Sequence, residues 1–312
     1  SHTGELQRML DTSGRVPHSL KRCAESQMVV EWGKLHQIMW SSDCTVAPHG
    51  FVAGLRYVAK ARGVDLGIGV AQNDAQELLQ LLIECFHISL SREVDMAVAG
   101  TPTTEQDRLA EACYTAVREM YSQEYSEMLP LFYGVHVSLV ENTQGERLSI
   151  RPEPFSVLSL QLPPRMGSCD LLECFDAYCA PCDLRGENQY EIADGRRVDA
   201  RRSLFFWNLP QIMVVHLKRW GPSGRKDQRR VSAPKELDMS RFVRGYNPSA
   251  FVYSLYAVCN HSGGAAGGHY TAFVRPQGGH SWYEFNDTMV REVSAGSVIT
   301  EAAYCLFYRK KK

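Results

Sequence analysis

Asn260-His261-Ser262-Gly263-Gly264-Ala265-Ala266-Gly267-Gly268-His269-Tyr270 is the most unusual stretch of this sequence, and Ser281-Trp282-Tyr283-Glu284-Phe285-Asn286-Asp287 follows shortly after it. Four glycines and two alanines before a strand leave no bulky side chain between the backbone and whatever approaches it. His269 takes the strand's first position. A turn at Gly278-Gly279 predicts a hairpin that brings Asn286 back beside His269. An Asn or Asp carbonyl holding a histidine's Nδ1 orients Nε2 to take a proton from a thiol, the Cys-His-Asn arrangement of thiol proteases. A hydrogen-bonded histidine in a purely structural hairpin uses the same residues, so an isolated His and Asn leave both meanings open.

Working outward, the first ninety residues carry helical signals. Met28, Trp32, Leu35 and Met39 recur at offsets of three and four, on one helical face. In Gln72-Asn73-Asp74-Ala75-Gln76-Glu77, Asn73 can cap a helix whose buried stripe is Ala75, Leu78, Leu79, Leu82, Ile83 and Phe86. Asp74 and Glu77 lie on the opposite side of that first turn, where carboxylates also suit the helix dipole. Residues 91–108 lose periodicity and read as a surface insertion; a third helix is expected over Leu109 to Tyr125. Beyond it the pattern turns to strands at Pro154 to Leu160, Gln211 to Leu217, Phe251 to Val258, His269 to Arg275, Trp282 to Asn286 and Tyr304 to Arg309. Helices first and strands afterwards predict an α+β fold.

A chain of 312 residues with 44% hydrophobic and 22% charged residues is globular in composition. A net charge of -1 gives no general attraction to nucleic acid or anionic membrane. No apolar run is long enough for a membrane span and Ser1 to Leu10 is polar, so an intracellular protein, cytoplasmic or nuclear, is expected. Ten cysteines scattered through so long a chain read as free thiols in a reducing compartment. Two glycosylation sequons, at Asn260 and Asn286, are read as coincidence.

Gly-Gly-His-Tyr-x-Ala and Trp-x-x-Phe-Asn-Asp-x-x-Val, here Gly267 to Ala272 and Trp282 to Val290, closely resemble the histidine box of ubiquitin-specific proteases. Asn208 to Trp220 is similar to that family's Leu-Pro…His-Leu-Lys-Arg-Phe strand, with Trp220 in place of Phe. Gln72 to Leu79 resembles its Gln-x-Asp-Ala-Gln-Glu-Phe-Leu helix start. Phe132-Tyr133-Gly134 and Ala303 to Tyr308 are weaker echoes. The motifs occur in family order from Leu6 to Arg309.

This resemblance implies a papain-like thumb, palm and fingers in a single domain over 1–312. The divisions would be a helical thumb at 1–130, a fingers-like β region at 131–210 and a β-rich palm at 211–312. It implies thiol-dependent hydrolysis of ubiquitin isopeptide bonds, with His269 as general base, Asn286 its orienting partner and Asp287 a polar support. Asp74 and Glu77 would meet arginines near the ubiquitin tail, and Gly267, Gly268 and Tyr270 would border the channel for its Gly-Gly end. The partners implied are ubiquitin or a ubiquitinated protein, with a larger assembly as a further prospect.

Two parts of the family pattern are not matched. The nucleophile belongs to an Asn-x-Cys-x-x-Asn-x-x-Leu-Gln box at a helix start; only Leu6-Gln7 fits its end, which puts the cysteine one place before Ser1. Thr3 and Gly4 stand where the family has Asn-Ser. Either the box lies ahead of this sequence, or it has degenerated and the protein is a catalytically inactive ubiquitin-binding or structural subunit. Cys23 and Cys44 lack the context of a nucleophile. Of the two Cys-x-x-Cys pairs that hold zinc in many relatives, only Cys179-Ala180-Pro181-Cys182 is present, so no metal and no cofactor are expected.

Overall fold

The computed structural model describes residues 3–6, 8, 23–41, 45–64, 73–164, 167–221, 224–264 and 267–311. Ser1, Gln7, Cys44, Gln72, Ala265 and Ala266, which entered the sequence reading, lie outside these. Helices come first: a turn at 4–6, α1 (Ser26–Ser41), α2 (His49–Ala61), α3 (Ala75–Leu90), α4 (Glu105–Tyr121) and the short α5 (Met128–Phe132). Strands β1 (Gly134–Asn142), β2 (Arg147–Phe155), β3 (Val157–Gln161) and β4 (Cys169–Asp170) lead to α6 (Leu171–Cys179). Then follow β5 (Cys182–Leu184), β6 (Tyr190–Glu191), β7 (Arg197–Val198), β8 (Ala200–Asn208), β9 (Ile212–Lys218), β10 (Val231–Ser232) and β11 (Glu236–Asp238). The chain closes with β12 (Val252–Gly264), β13 (Gly267–Val274), β14 (Trp282–Asn286), β15 (Met289–Val293) and β16 (Ala303–Lys310).

The large sheet runs β15-β14-β13-β12-β16-β9-β3, with β11 also beside β12; a four-stranded sheet, β2-β1-β8-β5, stands apart from it. Strand β9, Ile-Met-Val-Val-His-Leu-Lys, is buried on both faces except for its last residue, as expected of a central strand. Its alternate residues feed two cores. Met213, Val215 and Leu217 join Leu158, Leu255, Val258 and Leu306 on one side, together with Phe175 of α6. Ile212 and Val214 face the helices with Leu81, Ile83 and Phe86 of α3 and Met28 of α1. A third cluster packs Leu109 and Cys113 of α4 on Val137 and Phe205 of the smaller sheet.

The expected α+β class is what the chain adopts, and several boundaries differ for local reasons. Helix α4 starts four residues before the expected Leu109, because Thr104 and Asp107 form a capping box inside what reads as an insertion. The expected strand Pro154 to Leu160 is two strands, broken at Ser156, since β2 pairs with β1 while β3 runs parallel to β9. Strand β13 starts at Gly267, two residues before His269.

Candidate active site

Helix α3 begins with a capped carboxylate. Asp74, not Asn73, is the N-cap: its Oδ1 accepts from the Gln76 N–H at 2.7 Å. The second oxygen, Oδ2, accepts from the hydroxyl of Tyr304 in β16. Both oxygens therefore join the helix start to the large sheet. Asp74→Ala removes a cap and leaves a buried phenol without its acceptor, so a stability loss of about 2 kcal/mol is expected. Asp74→Asn, which keeps one acceptor oxygen for the cap and places an amide NH2 against the Tyr304 hydroxyl oxygen, should lose less; urea unfolding of the three proteins checks the order.

On the same helix Glu77 is exposed and makes no ion pair among the described residues. Tyr270 accepts from the Ala75 N–H at 3.2 Å through its hydroxyl, so β13 is tied to the helix beside the cap. Burial raises that phenol to about 12, and it stays a neutral hydrogen-bonding group.

Antiparallel pairing builds the rest of the site. β12 and β13 form a hairpin in register from Ala257↔Val274 to Gly264↔Gly267, so the glycine-rich stretch is its tip. Gly263 sits at φ 111°, a conformation that side chains rarely adopt, and a Cβ there would run into the backbone of Gly267 and Gly268 on the facing strand. Strand β14 returns alongside β13, with Ala272 opposite Phe285, and carries Asn286 to His269. His269 Nε2 donates to Asn286 Oδ1 at 2.7 Å. Asp287 Oδ2 is 3.9 Å from the same nitrogen and largely solvated, in the tight turn between β14 and β15 at φ 50°.

The pairing of His269 with Asn286 is the one the hairpin suggested, but through the other nitrogen. Asn286 takes Nε2, not Nδ1, so Nδ1 is the ring nitrogen left outside that bond. Among the described residues no partner meets it. The side chain is about half exposed, open to an approaching group.

Six of the described thiols are shifted away from nucleophilic character. Burial raises Cys85, Cys113, Cys174 and Cys179 to about 12 and Cys259 to about 11, and pushes Cys305 well up. A nucleophilic thiol needs the opposite shift. Cys23 shares a 3.4 Å contact with Ser26 Oγ at the start of α1. Among the described residues no group of His, Cys, Asp or Glu has the arrangement of a metal site.

Sequence reasoning passed over three neighbours. Tyr304 is the extra residue of a β-bulge, since Cys259 faces Cys305 while Asn260 faces Ala303. It stands edge-on to His216, 4.7 Å between ring centroids. His216 is buried, accepts or donates at Nδ1 with Ser159 Oγ at 3.0 Å, and is held below its ordinary pKa by that burial. Lys226 and His261 form the third feature, a 3.0 Å contact between Nζ and Nδ1. The only available signal was the position of His261 inside the glycine-rich motif.

Among the described residues no helix is long and apolar enough to cross a membrane. The chain is similar to ubiquitin carboxyl-terminal hydrolase 2 of chicken, 29% identical over 290 residues that cover 90% of this chain and 79% of that protein. It is 31% identical to ubiquitin carboxyl-terminal hydrolase 2 of human over 294 residues, 91% of this chain but 47% of that protein, so it spans about half the length of that relative. Its fold resembles Ubp8 in the Ubp8–Sgf11–Sus1–Sgf73 module of SAGA bound to monoubiquitin, with TM-score 0.74, 23% identity, and 100% and 64% of the two chains covered. The same module bound to ubiquitin aldehyde gives TM-score 0.71 at 22% identity, covering 98% and 66%. The family model of ubiquitin carboxyl-terminal hydrolases matches residues 1–308, and with these likenesses and the histidine box in place, the chain belongs to the ubiquitin carboxyl-terminal hydrolase family.

Proposed function

We propose that this chain recognises the C-terminal tail of ubiquitin and supplies the base of a thiol hydrolase that cleaves the isopeptide bond after it. The observation that carries the proposal is the 2.7 Å bond from His269 Nε2 to Asn286 Oδ1, made by two residues of the box that marks the family. With Nε2 committed as a donor, Nδ1 is the basic nitrogen. A cysteine thiol gives its proton to Nδ1, and the thiolate sulfur attacks the carbonyl carbon of the ubiquitin C-terminal glycine. The His269 imidazolium then returns the proton to the departing lysine amine. Water, deprotonated by the same nitrogen, hydrolyses the thioester and restores the thiol. Asn286 fixes the ring orientation through both half-reactions, and Asp287 lends a solvated charge near the imidazolium.

In this reading 1–130, 131–210 and 211–312 serve as thumb, fingers and palm, and the nucleophile is the cysteine that the family pattern puts just ahead of Ser1. Gly267 and Gly268 leave room for a tail without side chains. Of the two acids at the helix start, Glu77 is the one with oxygens to spare for a basic side chain of the tail, because Asp74 is engaged with Gln76 and Tyr304. The partners follow: ubiquitin, or a protein that carries it, and a larger assembly of the kind in which Ubp8 is found.

Titration calorimetry of the chain with ubiquitin tests recognition without any need for the cysteine. Glu77→Arg is expected to weaken binding about tenfold, one charge-assisted pair lost. Glu77→Arg with unchanged affinity would remove Glu77 from the site, and absence of binding by the unaltered protein would sink the recognition proposal itself.

A further inference from the structure

Lys226 lies in the loop between β9 and β10 and reaches across to β12. Its Nζ donates to the His261 carbonyl oxygen at 2.5 Å and to His261 Nδ1 at 3.0 Å. An ammonium has only donors, so Nδ1 is the acceptor and the imidazole is neutral with its proton on Nε2. The ring is buried, 5% exposed, and rings surround it: Tyr270 at 4.7 Å, Tyr304 at 5.7 Å and Trp220 at 6.2 Å between centroids. Its Nε2 edge rests on the backbone of β13, where a Cβ on Gly268 would overlap Nε2 and the Ser262 carbonyl oxygen. Only glycine permits that contact, and the next residue is His269.

The loop that carries Lys226 is itself fixed. Trp220 and Lys226 form a β-bridge, and the Asp227 N–H donates to the Arg219 carbonyl at 2.6 Å. His261 is thus clasped between this loop on one side and the His269 strand on the other. Burial first, and the Lys226 charge second, keep the imidazole below its ordinary pKa. A lysine so placed gives up part of its hydration, which burial registers as a lowered pKa.

We propose that Lys226 and His261 are positioning residues: the ammonium fixes the imidazole, the imidazole fixes Gly268, and Gly268 sets the place of His269 and the width of the glycine channel. The catalytic consequence rests on the function proposed above, whereas the geometry is open to test without it.

Long-range proton–nitrogen NMR of the histidine rings in the full chain reads the first link, and calorimetry with ubiquitin reads the second. In the unaltered protein His269 should show the Nε2–H tautomer. In Lys226→Met it should average between tautomers, with shift changes confined to 260–270 and 286. Ubiquitin affinity should fall about tenfold in Lys226→Met and stay within about threefold in Lys226→Arg, which keeps the donors. His261→Asn, which still accepts from Lys226 but is too short to reach Gly268, should reproduce the tautomer averaging. An unchanged His269 in both Lys226→Met and His261→Asn overturns the proposal, as do changes spread through β9 and β16. If the unaltered protein binds no ubiquitin, the function fails while the ring signals still decide the positioning role.

Discussion

His269→Ala in the full-length protein should lower kcat/KM for a fluorogenic C-terminal amide of ubiquitin by about 10²–10⁴-fold, the contribution of a positioned general base. The loss should fall in kcat with KM nearly unchanged, because the imidazole acts on the proton in flight rather than on the bound tail. His269 is half exposed near the start of β13 and bonds, among the described residues, to Asn286 with Asp287 nearby, so its removal leaves no buried group unpaired. Stability should accordingly stay within about 0.5 kcal/mol of the unaltered protein. Asn286→Ala should also act on kcat, but by less, since the base remains and only its orientation is freed. Equal kcat/KM for His269→Ala and the unaltered enzyme would refute the assignment of the base.

The second large effect expected is on stability. Arg219→Ala should cost about 3–5 kcal/mol, read as a lower urea midpoint with little change in slope. Arg219 is fully buried. Its Nε donates to the Ala303 carbonyl at 2.7 Å, and Nη1 to the carbonyls of Asp227 and Arg229, each at 2.8 Å. One side chain therefore fastens the loop after β9 to the first residue of β16. Removing it leaves three acceptors, two of them in the loop that holds Lys226, without their charged donor. Arg219→Lys should fall between, since a single ammonium cannot reproduce the planar fork. A midpoint shift worth less than about 1 kcal/mol would mean the loop is held by other contacts.

Arg219 also marks where sequence reading stops. The strand before it, expected over Gln211 to Leu217, is plain from a run of apolar and β-branched residues, and the helix at Ala75 from its stripe. The box around His269 was legible because glycine-rich backbone, a histidine and a carbonyl side chain stand close together along the chain. The side of the imidazole that meets Asn286 was not legible, because two nitrogens on one ring differ only by rotation about side-chain bonds. Asn73 and Asp74 are both good caps; Tyr304, 230 residues away, is the partner that distinguishes Asp74. Helix α2 was missed because Gly50 and Gly54 depress its local propensity, while Leu55 and Val58 gain from burial against α1 that no local window contains. The engagement of Asp74, the clasp of His261 and the bulge at Tyr304 all depend on contacts between segments far apart in sequence.

One measurement bears most directly on the claim that His269 and Asn286 serve a thiol hydrolase for ubiquitin: the intact mass of the full-length protein after incubation with ubiquitin carrying a C-terminal electrophile. The expected result is a mass increase of one ubiquitin, mapped to a single cysteine preceding Thr3 and lost or strongly slowed in His269→Ala. No adduct on the full-length protein, or an adduct that forms equally well in His269→Ala, would contradict it.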